Sequence, residues 1–247
     1  MLWLSLIVLL PLAALTATST EQGWHGFIAA IADPAVAAAL RLTLGVAALV
    51  TAVNALMGSL AAWVLVRDRF PGRRLLELVI DVPFALPTIV AGLVLLSLYG
   101  PASPVGIEIA QTRKAIVVAV LFVTLPFVVR TVQPVLLELD RSVEEAAACL
   151  GASRLTIVRR IVLPDLLPAI ASGAALTFAR AVGEYGAVVL IAGNMPFRTE
   201  IASVRILSQI ENDQTVRAAA TATVLLVVSV AVIAGLELVQ RREARRG

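Results

Sequence analysis

Residues 144–164 read EEAAACLGASRLTIVRRIVLP, a polar, charge-bearing insert in a chain whose other long stretches are apolar. Its local pattern is helical in two pieces. Ser142 followed by Glu145 predicts a capping box, with the serine accepting from a free amide and the glutamate reaching back to the cap amide. Glu144 and Glu145 in the first turn also suit the positive end of a helix dipole. Val143, Ala146, Ala147 and Leu150 recur at i, i+3, i+4 and i+7, an apolar stripe about two turns long. Gly151 allows the positive φ that ends a helix. Beyond it Leu155, Val158 and Val162 form a second stripe, with Arg154, Arg159 and Arg160 off it, until Pro164 is expected to stop the pattern.

What surrounds this insert belongs in a bilayer. The chain has 247 residues, 60% of them hydrophobic and 15% charged, with a mean hydropathy of +0.94, far more apolar than a soluble domain. Residues 2–18, 42–66, 82–107 and 218–236 carry no charge, and each holds a candidate spanning helix of about 20 residues. Two further candidates, 115–137 and 166–193, contain only Arg130 and the pair Arg180 and Glu184. The expectation is six transmembrane helices in one membrane domain, 1–247, leaving no room for a separate soluble domain. The first of the six has a second reading. Residues 2–18 lack a basic leader, contain a proline and end in small residues, so a retained helix and a cleaved signal peptide both stay open.

Arginines set the orientation. RDRFPGRR (67–74) turns at Pro71-Gly72 and carries four arginines, the insert has Arg141, Arg154, Arg159 and Arg160, and the tail has Arg241, Arg242, Arg245 and Arg246. The opposite loops hold Arg113 and Lys114, then Arg198, Arg205 and Arg217. By the positive-inside rule the first set, and with it the carboxyl terminus, faces the cytoplasm.

The insert therefore lies on the cytoplasmic side, either as an interfacial hairpin among headgroups or as a docking element for another protein. Alanines at the centre of its first stripe add little membrane affinity, and acidic residues are disfavoured beside an anionic leaflet. A groove in a protein partner suits both features better. Glu145-Ala146-Ala147, three residues, Gly151, nine residues, then Ile161-x-Leu163-Pro164 resembles, at every position, the EAA loop of the permeases of ABC importers. RFPGR (69–73), DVPFALPTIVAGL (81–93), PFVVRTVQPVL (126–136) and ARAVGEYGAVVLIAGNMPFRTE (179–200) extend the likeness to the sulfate/thiosulfate branch and its T-type permease subunit. Molybdate permeases share the insert and a similar ARxxGEFG core. Members of that family usually begin with a basic cytoplasmic leader, whereas this chain starts almost directly in its first apolar segment.

The resemblance implies an all-α membrane protein of the type I ABC importer permease fold. Ser142, Glu144, Glu145, Ala146, Ala147, Gly151, Ile161, Leu163 and Pro164 would form the surface coupled to an ATPase subunit. The implied partners are two ATP-binding cassette subunits, a second homologous permease, a periplasmic sulfate-binding protein and membrane lipid, in a bacterial inner membrane.

Arg180 and Glu184 stand four apart and would share a helix face; within a span they must face protein or a water-filled path. They are read as an intramembrane ion pair or gate, with direct contact to a passing anion as the alternative. Arg130 is expected to snorkel toward its cytoplasmic end or, with Asp81, to serve packing or the path. Pro83, Pro87, Pro126 and Pro134 permit kinks. Gly183, Gly186 and Gly193 permit close helix approach, either within the chain or toward a second permease.

Several functions are excluded by what the sequence lacks. The one lysine, Lys114, follows Arg113, so no GxxxxGK[ST] phosphate loop exists and energy must come from another polypeptide. One cysteine and one histidine cannot build a Cys/His metal cluster, and no cofactor or metal is expected. Basic residues lie at membrane edges without interleaved aromatics, which argues against nucleic-acid binding. The two readings left beside the sulfate importer are a molybdate or tungstate permease and a membrane scaffold that recruits a cytoplasmic partner without transport.

Overall fold

The computed structural model describes residue 3 and residues 5–243, and every regular element among them is a helix. In chain order these are α1 Ser5–Ser19, α2 Gly23–Ile31, α3 Pro34–Arg67, α4 Arg73–Ala85, α5 Thr88–Tyr99, α6 Arg113–Glu138 and α7 Arg141–Cys149. They continue as α8 Arg154–Val182, α9 Gly186–Ile191, α10 Ala202–Glu211 and α11 Thr215–Glu243. The tail arginines Arg245 and Arg246 lie outside the described residues, as do the side chains of Arg241 and Arg242.

Length and composition qualify α3, α6, α8 and α11 as spans. The third expected span, 82–107, is instead two helices, α4 and α5, bent by 118°. The bend has a local cause. Pro87 disfavours the helical region for the residue before it, and Leu86 is extended at φ −91° and ψ 133°. Counted as one span the bent pair makes five, and α1, the counterpart of expected span 2–18, is shorter than the about 20 residues a crossing needs. Among the described residues, length and composition thus support up to five of the six expected spans.

The fifth expected span also differs. α8 begins at Arg154, passes through Pro164 and Pro168, and ends at Val182. Pro164 does not stop the helix because the turn before it widens over Val158–Val162, where the Leu163 amide reaches back to the Val158 carbonyl. Such a π-turn absorbs a missing donor without ending the rod. A break over 183–185 then separates α8 from α9.

The chain divides into two compact units. In one, formed by 1–47, 87–120 and 181–231, α5 packs on α9 at glycine-limited distance. A Cβ on Gly92 would stand 2.6 Å from the Ala187 carbonyl oxygen, and one on Gly186 would lie 2.9 Å from the Ile89 nitrogen. Gly186 therefore serves packing within the chain. Thr43 of α3 accepts a 2.8 Å hydrogen bond from the Ala202 amide at the start of α10. In the other unit, 48–86, 121–180 and 232–247, Ala62, Leu65, Ile80, Val128, Val132 and Leu136 form a core with Ile157, Val162 and Leu166 of α8. Leu56, Met57 and Leu60 of α3 and Leu75, Leu78 and Val79 of α4 stay exposed, as hydrocarbon-facing residues do when lipid replaces water.

Candidate functional site

The EEAAAC stretch folds as α7, and its ends are fixed by capping chemistry. The cap is Asp140, whose carboxylate accepts from the Ser142 amide at 2.9 Å. The expected capping box of Ser142 and Glu145 is thus replaced by a helix that starts two residues earlier. Donation from the Ser142 backbone, then from its side chain, holds the Asp140 carboxyl below its ordinary value. At the other end Gly151 adopts φ +86°. Its amide bonds the Ala148 carbonyl at 3.0 Å, and the Ala152 amide bonds that of Ala147 at 3.0 Å, the two bonds of a Schellman motif. Ser153 then caps α8, its hydroxyl accepting from the Thr156 amide at 3.2 Å.

Between these ends α7 turns two faces outward from one anchor. Ala147, Ala152 and Ile161 pack against the core of their unit. Glu144 pairs with the Arg67 guanidinium at the end of α3, the two side chains being 22% and 10% exposed, and the Arg67 guanidinium carbon lies 5.4 Å from the Trp63 ring centroid. Glu145, Ala146 and Ser142 are exposed. So are Val143, Leu150 at 89% and, on α8, Leu155 at 76%. The predicted stripe therefore splits: Ala147 meets the chain's own core, and the rest is presented outward. Leu163 and Pro164 lie exposed on α8 beyond the wide turn.

The intramembrane charges are each placed individually. Arg130 does not snorkel; its Nε donates to Asp81 Oδ1 at 2.8 Å, Nη2 donates to Oδ2, and Nη1 donates to Gln133 Oε1 at 2.8 Å. A fork of this kind neutralises both charges and joins α4 to α6. Arg180 lies half-buried in the last turn of α8. Glu184 is fully buried in the break before α9, where its Oε1 accepts from the Ala187 amide at 2.8 Å and its carbonyl accepts from the Ser203 hydroxyl at 2.8 Å. The helical i, i+4 register expected for Arg180 and Glu184 does not apply, because α8 ends between them.

The run 192–200 forms a tight loop. The Met195 carbonyl accepts from the amides of Arg198, Thr199 and Glu200, Asn194 and Phe197 adopt positive φ, and Arg113 Nε donates to the Arg198 carbonyl at 2.9 Å. Burial pushes the Glu200 carboxyl above its ordinary value, opposed by Arg205 and reinforced by Asp33. Arg67, Trp63, Asp140 and Gln133 were not singled out from the sequence. Of these, Asp140 carried a signal, since aspartate is as good a helix cap as serine.

The family model described as binding-protein-dependent transport system inner membrane component matches residues 54–245. A sulfate transport system permease protein CysT of Salmonella typhimurium is 43% identical over all of this chain and 91% of its own. Its namesake from Synechocystis sp. is 44% identical over 97% of this chain and 86% of its own. Among solved structures, a bacterial alginate ABC transporter in complex with an alginate pentasaccharide-bound periplasmic protein contains a chain that superposes with a TM-score of 0.80. That match is 16% identical and covers 98% of this chain and 91% of the other.

Proposed function

The chain belongs to the family of binding-protein-dependent transport system inner membrane components, and from that membership we propose that it moves sulfate or thiosulfate into the cytoplasm by alternating access, driven by a separate ATPase. It is a non-catalytic permease subunit. The observation that carries the reading is the exposed face of α7, held in place by Asp140, the Schellman turn and Arg67–Glu144 yet left uncovered by its own chain. Two ATP-binding cassette subunits, a second homologous permease and a periplasmic sulfate-binding protein complete the assembly. α7 is the lever that one ATPase subunit grips, so that nucleotide-driven closure is passed to the spans. The carboxyl terminus faces the cytoplasm of a bacterial inner membrane. Whole-length identity to sulfate permeases favours this anion over molybdate.

Arg180 and Glu184 are assigned to packing or gating rather than to holding the anion, since a tight site midway along the path would slow release. Arg130 and Asp81, each occupied by the other, support packing in the same way.

Cys149 gives the experiment. It is the one cysteine of the chain and is exposed at the end of α7. In an importer assembled from defined, co-expressed subunits, a short thiol-directed crosslinker on Cys149 is expected to capture the ATP-binding subunit, and Cys149→Ser to abolish capture. An assembled, transporting complex in which Cys149 never reaches that subunit would refute the docking assignment.

A further inference from the structure

A second feature of the same unit borders the coupling insert. Ala55, Leu60 and Trp63 of α3 face Val162, Leu166 and Ile170 of α8 across an open groove of about 390 Å³, within the usual size range of ligand sites. Its one hydroxyl, on Ser59, is already donated to the Ala55 carbonyl. Apart from Ser59 and the Trp63 indole N–H the lining is aliphatic, with no charged group to hold a sulfate, so the walls suit a hydrocarbon chain. Both walls belong to helices long and apolar enough to cross a membrane.

The chemistry changes at one end. A neighbouring depression on α8 is lined by Leu155, Thr156, Arg159 and Arg160, and its two arginines sit on the same wide turn, Val158–Val162, that supplies Val158 and Val162 to the groove. Both arginines are exposed, and neither has a carboxylate partner among the described residues. Glu144, the acid of α7 that turns toward the bundle, is taken by Arg67. Trp63, at the same end of the groove, is the residue type that marks the level of the headgroups. We propose that this groove seats an acyl chain of an anionic phospholipid whose phosphate is held by Arg159 and Arg160. Charge complementarity selects an anionic headgroup, and a lining of Ala, Leu, Val and Ile side chains, with only Ser59 and the Trp63 indole as polar groups, suits a lipid tail better than a peptide.

Native mass spectrometry of the purified full-length chain, equilibrated with mixed phosphatidylcholine and phosphatidylglycerol, tests this directly. Phosphatidylglycerol is expected to be retained in preference to phosphatidylcholine. Arg159→Gln with Arg160→Gln is expected to lower its retention about fivefold per arginine, roughly twenty-five-fold for the pair. Ala55→Phe, which fills the groove, is expected to displace the lipid with both arginines present; if that variant fails to fold, Ala55→Leu serves the same purpose. Equal retention of the two lipids, or retention indifferent to these variants, overturns the proposal. So does displacement by glycerophosphate, which would show a phosphate site without a tail groove, or displacement by the ATP-binding subunit, which would make this face part of the docking surface.

Discussion

Breaking the Arg67–Glu144 pair is expected to loosen α7 without unfolding the chain. Exposed ion pairs contribute about 0–1 kcal/mol, whereas removing one partner of a buried pair costs about 3–5 kcal/mol. With side chains 10% and 22% exposed, this pair lies between the limits. Arg67 reaches Glu144 through Nη2 and its Nε has no acceptor, so Glu144→Gln removes the opposing charge and leaves the Trp63 face, a contact of about 0.5–1 kcal/mol. Discounted for the water that reaches Glu144, the loss comes to about 2 kcal/mol. Only Ala147, beside the turn at Gly151, anchors the rest of α7, so the loss appears as local opening. Amide hydrogen exchange over 141–152 is expected to quicken about thirtyfold. A double-mutant cycle with Arg67→Met should give a coupling energy of about 1–2 kcal/mol, and strictly additive effects, with coupling under about 0.3 kcal/mol, would refute the strut.

Other outcomes follow from single positions. Gly92→Ala places a methyl 2.6 Å from the Ala187 carbonyl oxygen, and overpacking of α5 on α9 should cost about 1–3 kcal/mol; an unchanged melting temperature would contradict that contact. Glu200 titrates above its ordinary value of 4.5, so the stability it lends is complete below that pH and is lost as pH rises through the folded value. Glu200→Gln should therefore flatten the fall in melting temperature as pH rises above 4.5, and parallel curves would sink the assignment. Arg180→Ala is expected to insert and assemble yet lose ATP-coupled uptake, and normal uptake would remove both the gating and the packing roles.

Much of this architecture was legible because short-range chemistry decides it. The apolar runs located the spanning helices, Gly151 marked the end of α7 through a φ that only glycine adopts easily, and Pro71-Gly72 marked the turn before α4. Errors arose where two local rules competed. Asp140 and Ser142 are both good caps, and the chain uses the earlier one. Pro164 reads as a stop, yet a wide turn supplies the room that its ring and missing donor demand. Pro87 reads as a mild kink and instead turns the chain by 118°. Glu184 reads as helical and lies in a break over 183–185. The pairings of Arg67 with Glu144 and of Arg130 with Asp81 join residues 77 and 49 positions apart. No periodicity reports such distances; they exist only once the helices have packed.

Charge reversal at Glu145 addresses the central claim most directly, since this exposed residue touches none of the contacts that hold α7 in place. ATP-dependent uptake of radiolabelled sulfate is measured in proteoliposomes that contain this chain with a second permease, the ATPase and a sulfate-binding protein. Glu145→Lys is expected to leave the chain inserted while uptake and binding-protein-stimulated ATP hydrolysis are lost together. Wild-type uptake and stimulated hydrolysis in that variant would show that α7 is not the coupling element.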